Sequence, residues 1–341
     1  KDIIWPSVAT VIPDWYYNFY GDDRLIRDNY EMMKRFVLYN ERTNLKADGT
    51  LDFCTYGDWV DAASISGNSR NAGATSRPLM GTAYFYRNCR IVERAARRVG
   101  KPEDERYFGD LAERVSSGFQ CRFFDAATST YESATQCSLV LPLAFGLVPA
   151  AHREAVVRNL VQDITVAHQG HTSVGLIGMQ WQMQVLTDVG HPEVAYQIAQ
   201  QTTRPSWGYM ISQGATTSWE RWDTDTQDGG MNGESQKILS GNFEAWCYQT
   251  LAGINYDPQQ PGFKHIILRP CPVENMSSFR TVHRRRVFRA QPGESDSGVE
   301  SMDIRLDTLL EPGLRLWYEA GTSEAPLAIR VLVERKGAVA G

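Results

Sequence analysis

The chain has 341 residues, 42% of them hydrophobic and 22% charged, which is enough apolar material for one large core or two smaller ones. A formal net charge of −5 gives no basic field for nucleic acid or an anionic membrane, so a neutral partner fits better. No apolar run approaches the roughly 20 residues that span a bilayer, so no membrane insertion is expected, and the opening KDIIWPSVAT lacks the basic-then-apolar order of a signal peptide.

From Asp23 to Tyr39 the apolar residues Leu25, Ile26, Tyr30, Met33, Phe36 and Val37 recur at three-to-four spacing, which predicts an amphipathic helix. A second helix runs through GTAYFYRNCRIVERAARRVG, with Arg97 and Arg98 in the last turn, where cations suit the helix dipole. Lys101 and Pro102 begin a turn, and a helix from about Glu103 to Phe124 must return antiparallel, because the connection is too short for anything else. The unit recurs as CSLVLPLAFGLVP with HREAVVRNLVQDI, and as VGLIGMQWQMQVLTDVG with HPEVAYQIAQQTT, with no strand between. Repeated helical hairpins with long loops predict a toroid of paired helices whose loops gather at one end; an open helical bundle is the alternative.

After the helix NFEAWCYQTLAGI the character changes, and the boundary is placed between residues 257 and 258. FKHIILRPCPV reads as a strand, and MDIRLDTLL, GLRLWYEA and IRVLVERK alternate in part, so 258–341 is expected to be β-rich. Between them, TVHRRRVFRAQPGESDSG has neither period, and residues 280–300 are expected to be irregular and exposed. The cysteines Cys54, Cys89, Cys121, Cys137, Cys247 and Cys271 are scattered without CxxC pairs or histidines at zinc spacing. They are expected to be buried free thiols, and no cofactor is implied.

Two stretches carry candidate chemistry. In GATTSWERWD the carboxylate of Glu220 stands between Trp219 and Trp222, an acid beside platforms on which the C–H face of a sugar can stack. A salt bridge from Glu220 to Arg221 or another arginine is the bland alternative. In DFCTYGDWVD, Asp58 reads either as a ligand for sugar hydroxyls, with Trp59 packing the ring face, or as the N-cap of the segment that follows. His168 and His171 read as loop hydrogen-bonders rather than ligands.

The run from TQCSLVLPLAFGLVP to GATTSWERWD, with YGDW upstream and PGFKHIILRPCPV downstream, resembles bacterial α-L-rhamnosidases of glycoside hydrolase family 78 from about Trp5 to Val273. The resemblance implies an (α/α)6 barrel, present in part over 1–257, followed by a β-sandwich-like domain. It further implies inverting hydrolysis of terminal α-L-rhamnosides in a rhamnose-containing oligosaccharide or glycoside, with Glu220 at the family's general-base position. It places Asp58 and Trp59 at the sugar subsite, and Trp5 and Trp222 on its aromatic wall. Ser7 stands where the family usually has Asp, and Lys237 stands near a frequent sugar-contacting histidine, so a related deoxysugar or decorated rhamnoside is also open.

The family's general acid belongs to a CPQRDER-like motif that does not occur in this chain, which is therefore expected to be a fragment, inactive alone. Beyond Val273 the resemblance fades, so the tail is either divergent or frame-shifted. A non-catalytic sugar-binding protein, or another helical-toroid glycosidase, would share most of these features.

Overall fold

In the computed structural model the three-to-four apolar spacing emerges as helix through most of the first 250 residues. The structure describes residues 2–62, 73–225, 242–271 and 273, and beyond them the strands 283–286, 299–308, 314–320 and 328–331. The chain divides into two compact units, Lys1–Tyr16 with Asp23–Phe243, and Tyr17–Asp22 with Glu244–Gly341. The compositional boundary at 258 lies inside the second.

Helix α1 (Val8–Tyr20) is followed after three residues by α2 (Arg24–Asn44), which buries Ile26, Tyr30, Met33, Val37 and Asn40 along one face. Ser76 caps α3 (Arg77–Arg98) by accepting the N–H of Leu79 at 3.4 Å. Its partner α4 (Pro102–Phe123) opens on Glu103, Asp104 and Glu105, where carboxylates suit the positive end of the helix dipole. A two-residue hairpin of β1 (Phe124–Asp125) and β2 (Thr130–Tyr131) then interrupts the helical series, correcting the expectation of no strand there. Thr135 caps α5 (Gln136–Phe145), which Gly146 ends in the left-handed conformation at φ +70°.

The series continues with α6 (Arg153–Gln162) and a π turn over Asp163–Ala167, then α7 (Leu176–Asp188), α8 (Pro192–Ala199) and α9 (Trp207–Ser212). Helix α10 (Phe243–Trp246) runs on into a π turn over Cys247–Leu251.

Burial separates two kinds of helix. In α3 every residue from Leu79 to Tyr86 is buried, and in α5 every residue from Gln136 to Leu143, so apolar contact surrounds both. These two pack on one another, α5 packs in turn on α7, and α4, α6 and α8 each cover the helix before them. An inner row is thus backed by an outer row of amphipathic helices. Polar ties join the outer members: Asp104 of α4 accepts from Tyr30 Oη at 2.7 Å and from Lys34 Nζ at 2.7 and 2.8 Å, both on α2.

In the second unit β3 (Ile254–Tyr256), β4 (His265–Leu268) and β8 (Ala328–Val331) form one sheet, antiparallel between the first two and parallel between the last two. Ala252, Ile254, Phe263, Ile266 and Leu268 make its core, with Phe19 and Tyr256 against them. A second sheet is formed by β5 (His283–Arg286), β6 (Val299–Thr308) and β7 (Leu314–Ala320). The expectation of irregular structure over 280–300 is therefore corrected: His283–Arg286 pairs antiparallel with Val299–Met302. Backbone pairing with a neighbour makes a strand of a run of basic residues whose side chains do not alternate. Residues 280–282 and 287–298 of that stretch lie outside the described residues. All six cysteines are free, but only Cys54, Cys89 and Cys137 are buried: Cys247 and Cys271 are half-buried, and Cys121 is exposed on the solvent side of α4.

Two helical glycines show how the loop before α3 is held. A Cβ on Gly81 of α3 would lie 2.1 Å from the carbonyl oxygen of Phe53, and one on Gly118 of α4 would lie 2.2 Å from that of Asp48. Loop 48–53 is thus clamped between the two helices, and Thr82 Oγ1 accepts the Leu51 N–H at 2.9 Å. Alanine at 118 should gain about 1 kcal/mol of helix propensity. It should lose more to the displaced carbonyl, for a net destabilisation of roughly 1–3 kcal/mol. A urea midpoint for Gly118→Ala at or above that of the wild type would show that the loop is not clamped.

Candidate functional site

The site is assembled on the segment that leads into α7. An α-helix leaves its first N–H groups without intrahelical partners, and here a distant side chain meets them. Asp58 is fully buried, and its Oδ1 accepts the N–H groups of Ile177 at 3.0 Å and Gly178 at 2.9 Å, while Oδ2 accepts that of Gly175 at 2.9 Å. The Trp59 carbonyl accepts the Leu176 N–H at 2.8 Å, and Ala62 N–H donates to the Ser173 carbonyl at 3.1 Å. Approach this close requires glycine at 175, where a Cβ would lie 2.2 Å from the Trp59 oxygen and 2.5 Å from that of Asp58.

This anchoring corrects the reading of Asp58 as a ligand for sugar hydroxyls. Both of its oxygens face backbone donors in a sealed interior, so its effect on the site passes through Trp59. It is a cap after all, but of α7 rather than of the segment that follows it.

With the loop fixed, the indole of Trp59 reaches Glu220, and its Nε1–H donates to Glu220 Oε1 at 3.1 Å. Glu220 is buried, at 4% exposure, and its Oε2 has no hydrogen-bond partner among the described residues. Arg221 turns away to its own carboxylate, with Nε at 2.9 Å and a terminal nitrogen at 3.2 Å from the two oxygens of Asp223. The bland alternative for Glu220, a salt bridge to its neighbour, is thereby set aside.

Trp222 is buried behind this pair, donating its indole N–H to the Val174 carbonyl at 3.0 Å and meeting Trp207 edge-to-face. Trp219 lies edge-on to Tyr209, whose hydroxyl donates to Asp225 at 2.6 Å. Arg204 donates to the same carboxylate at 2.9 and 3.0 Å.

The structure thus brings Trp59 and Glu220 into contact and ties both to residues 173–178. Trp5 joins them through Tyr56: the two rings stack at 5.6 Å and 16°, and Tyr56 meets Trp59 edge-on at 5.7 Å. Trp5 and Tyr56 are partly exposed, so they form the open end of an aromatic run that closes on the carboxylate. Trp222 braces the site from behind instead of offering an open face. Ser7 is also structural, since its hydroxyl donates to the Ile3 carbonyl and accepts from Asn88 Nδ2, both at 2.7 Å. Lys237 lies outside the described residues. Gly175 and Val174 were not expected at the site, and their only signal in sequence is the glycine-punctuated HTSVGLIG at the start of α7. Among the described residues no three histidines, cysteines or acidic groups are placed to hold a metal ion.

Burial pushes the Asp58 carboxyl up to about 6, against the pull of the Gly178 and Gly175 N–H groups, while the nearby Asp61 charge adds to the rise. Between the ordinary carboxyl value and about 6 the folded chain therefore holds a proton that the unfolded chain releases. Stability from this group is complete below about pH 4 and is lost as the pH rises through about 6. The urea midpoint of the wild type, taken relative to that of Asp58→Asn, should fall between pH 4 and 6 and level off above 7. A difference that stays constant over that range would show that Asp58 titrates alike in both states.

Paired helices whose loops close indole rings around a buried carboxylate define a helical-hairpin domain. The family model for the bacterial alpha-L-rhamnosidase 6 hairpin glycosidase domain matches residues 1–251, and the chain belongs to that family.

Among curated relatives, an alpha-L-rhamnosidase of Formosa agariphila is 32% identical over 278 residues, covering 80% of this chain and 29% of the relative. One of Streptomyces avermitilis is 33% identical over 281 residues, covering 81% and 26%. The chain thus spans less than a third of the length of these relatives.

Among solved structures, the Streptomyces avermitilis alpha-L-rhamnosidase complexed with L-rhamnose superposes with a TM-score of 0.75 at 30% identity, covering 89% of this chain and 27% of that one. The alpha-L-rhamnosidase from Dictyoglumus thermophilum gives 0.78 at 29% identity, covering 91% and 32%.

Proposed function

We propose that this chain carries the sugar-binding wall and the catalytic base of an enzyme that hydrolyses terminal α-L-rhamnosides with inversion at the anomeric carbon. The observation that carries the reading is the divided state of the Glu220 carboxylate, with one oxygen held by an indole N–H and the other buried without a partner among the described residues. Family membership and the likeness to relatives named alpha-L-rhamnosidase support the substrate class.

An inverting glycosidase needs a base that orients and deprotonates a water on the face of the sugar opposite the leaving group, and a separate acid that protonates the leaving oxygen. Glu220 suits the first task. The Trp59 N–H fixes the rotamer of the side chain through Oε1, which leaves Oε2 with its lone pairs for the water. Its burial among indoles excludes bulk water that would compete for the same oxygen. The acid is a different matter. Asp58 is committed to three backbone N–H groups and Asp223 to Arg221, so neither is available to protonate a leaving group. We assign the acid to no described residue. The inverting assignment rests on the match of Glu220 to the family's base position.

In an active preparation carrying this chain, Glu220→Gln keeps the shape and the Trp59 contact but cannot take the water's proton, so kcat should fall by roughly 10²–10⁴-fold with little change in KM. Trp59→Phe removes the positioning N–H together with part of the ring that meets Tyr56, and should lower kcat by at least about tenfold, the effect of one hydrogen bond to a charged group. Steady-state kinetics on an aryl α-L-rhamnoside measures both. Turnover of Glu220→Gln near the wild-type rate would remove Glu220 from the role of base.

A further inference from the structure

The contact between Trp59 and Glu220 is made by two arms of chain, residues 58–62 and 219–222, and both are tied to one short strap, residues 171–175. On the first arm, Ala62 N–H donates to the Ser173 carbonyl at 3.1 Å, and Asp58 accepts the Gly175 N–H at 2.9 Å. On the second, the Trp222 indole donates to the Val174 carbonyl at 3.0 Å. The strap belongs to no helix or strand, so no regular ladder of backbone bonds fixes its shape. Side chains do so instead.

Three buried polar residues supply them, and none has a part in the chemistry so far. Gln136, the first residue of α5, accepts the Ser173 N–H through Oε1 at 2.9 Å and donates from Nε2 to the His171 carbonyl at 3.3 Å. Thr172 Oγ1 accepts the Val174 N–H at 3.2 Å. Gln182 of α7 joins the two: its Oε1 accepts the Thr172 hydroxyl at 2.7 Å, and its Nε2 donates to Gln136 Oε1 at 2.7 Å. Gln136 and Gln182 are fully buried and Thr172 is almost so, which keeps bulk water from competing for these bonds.

The network has one arrangement of donors and acceptors. Gln136 Oε1 faces two donors, which decides which end of that amide is its oxygen. A reversed Gln182 would then set oxygen against oxygen, so its carbonyl faces Thr172 and directs the hydroxyl hydrogen toward itself. Each link orients the next, and loss of one leaves a buried donor or acceptor unmet. What the strap passes on to the two arms is therefore decided by these three side chains.

We infer that Thr172, Gln182 and Gln136 are positioning residues, which set the approach of Trp59 to Glu220 by fixing the backbone of residues 171–174. Their consequence for turnover rests on the rhamnoside reading above, and the test separates the two. Thr172→Val removes the hydroxyl at nearly constant volume, leaving the Val174 N–H and Gln182 Oε1 unmet, whereas Thr172→Ser keeps the hydroxyl and loses a methyl. The indole N–H signals of Trp59 and Trp222 report the geometry by NMR in this chain without any ligand.

Both signals should shift in Thr172→Val and return toward their wild-type positions in Thr172→Ser. In an active preparation carrying this chain, Thr172→Val should lower kcat on an aryl α-L-rhamnoside by about tenfold with little change in KM, and Thr172→Ser should restore it. Should Thr172→Val not fold, Gln182→Met, which keeps the side chain's length and removes both of its links, carries the same expectations. A residue that only stabilised the fold would lower the urea midpoint and leave the Trp59 signal of the folded chain, and its kcat, where they were; that result overturns the proposal. A shifted Trp59 signal with unchanged kcat would leave the network standing and overturn the part of the Trp59–Glu220 contact in turnover.

Discussion

The site depends on one buried carboxylate meeting three backbone N–H groups. Asp58 is enclosed with Gly175, Ile177 and Gly178 at hydrogen-bonding distance, and a helix start that would otherwise bury unsatisfied donors is satisfied from 117 residues away. Each buried donor left without a partner costs about 1–3 kcal/mol, so the contact holds the loop before α3 to the start of α7 with a strength that ordinary surface pairs lack. The glycines are part of the same constraint. A side chain at 175 would push the Trp59 and Asp58 carbonyls away, and one at 178 would bring its Cβ within 3.1 Å of Asp58 Oδ2.

From that junction the positions of the other groups follow. Trp59 is adjacent in sequence to the anchored carboxylate, so its indole is directed to Glu220. Trp222, bonded to the Val174 carbonyl, brings the segment carrying Glu220 to the same stretch of chain. The result is a carboxylate with unequal oxygens. Burying an acceptor without a partner is unfavourable, and a fold bears such a cost where the group has work to do. Around it the indoles and the Arg221–Asp223 pair supply the rigidity that keeps Glu220 from relaxing toward a competing donor.

Much of the helical architecture was legible, because burial on one face imposes a three-to-four spacing that survives in sequence, as in Ile26, Tyr30, Met33 and Val37 of α2. The glycine and proline punctuation marked the turns between hairpins for the same local reason. The division into inner and outer helices was less legible, since it depends on how much of the circumference of α3 or α5 is covered, which only packing decides. The strand at His283–Arg286 was not legible, because its hydrogen bonds come from β6 rather than from any pattern of its own.

At the site, Glu220 and Trp59 stood out by residue type and by resemblance, yet the contact between them spans 161 residues and exists only in the fold. Asp58 was found for the right residue type and assigned the wrong partner: an aspartate in a Gly-punctuated loop looks the same in sequence whether it meets a sugar hydroxyl or a helix start. The burial of Trp222 and Ser7 has the same origin, since sequence names the side chain but not the direction it faces.

In the proposed mechanism Glu220 activates a water on the face of the sugar away from the leaving group, and the stereochemistry of the first product tests that role most directly. With an active preparation carrying this chain, proton NMR of an aryl α-L-rhamnoside in the first minutes of hydrolysis should show β-L-rhamnose appearing first, with the α-anomer growing in later by mutarotation. Release of α-L-rhamnose as the first product would mean a covalent intermediate and a nucleophile in place of a base, and would contradict the role of Glu220 as the residue that deprotonates water.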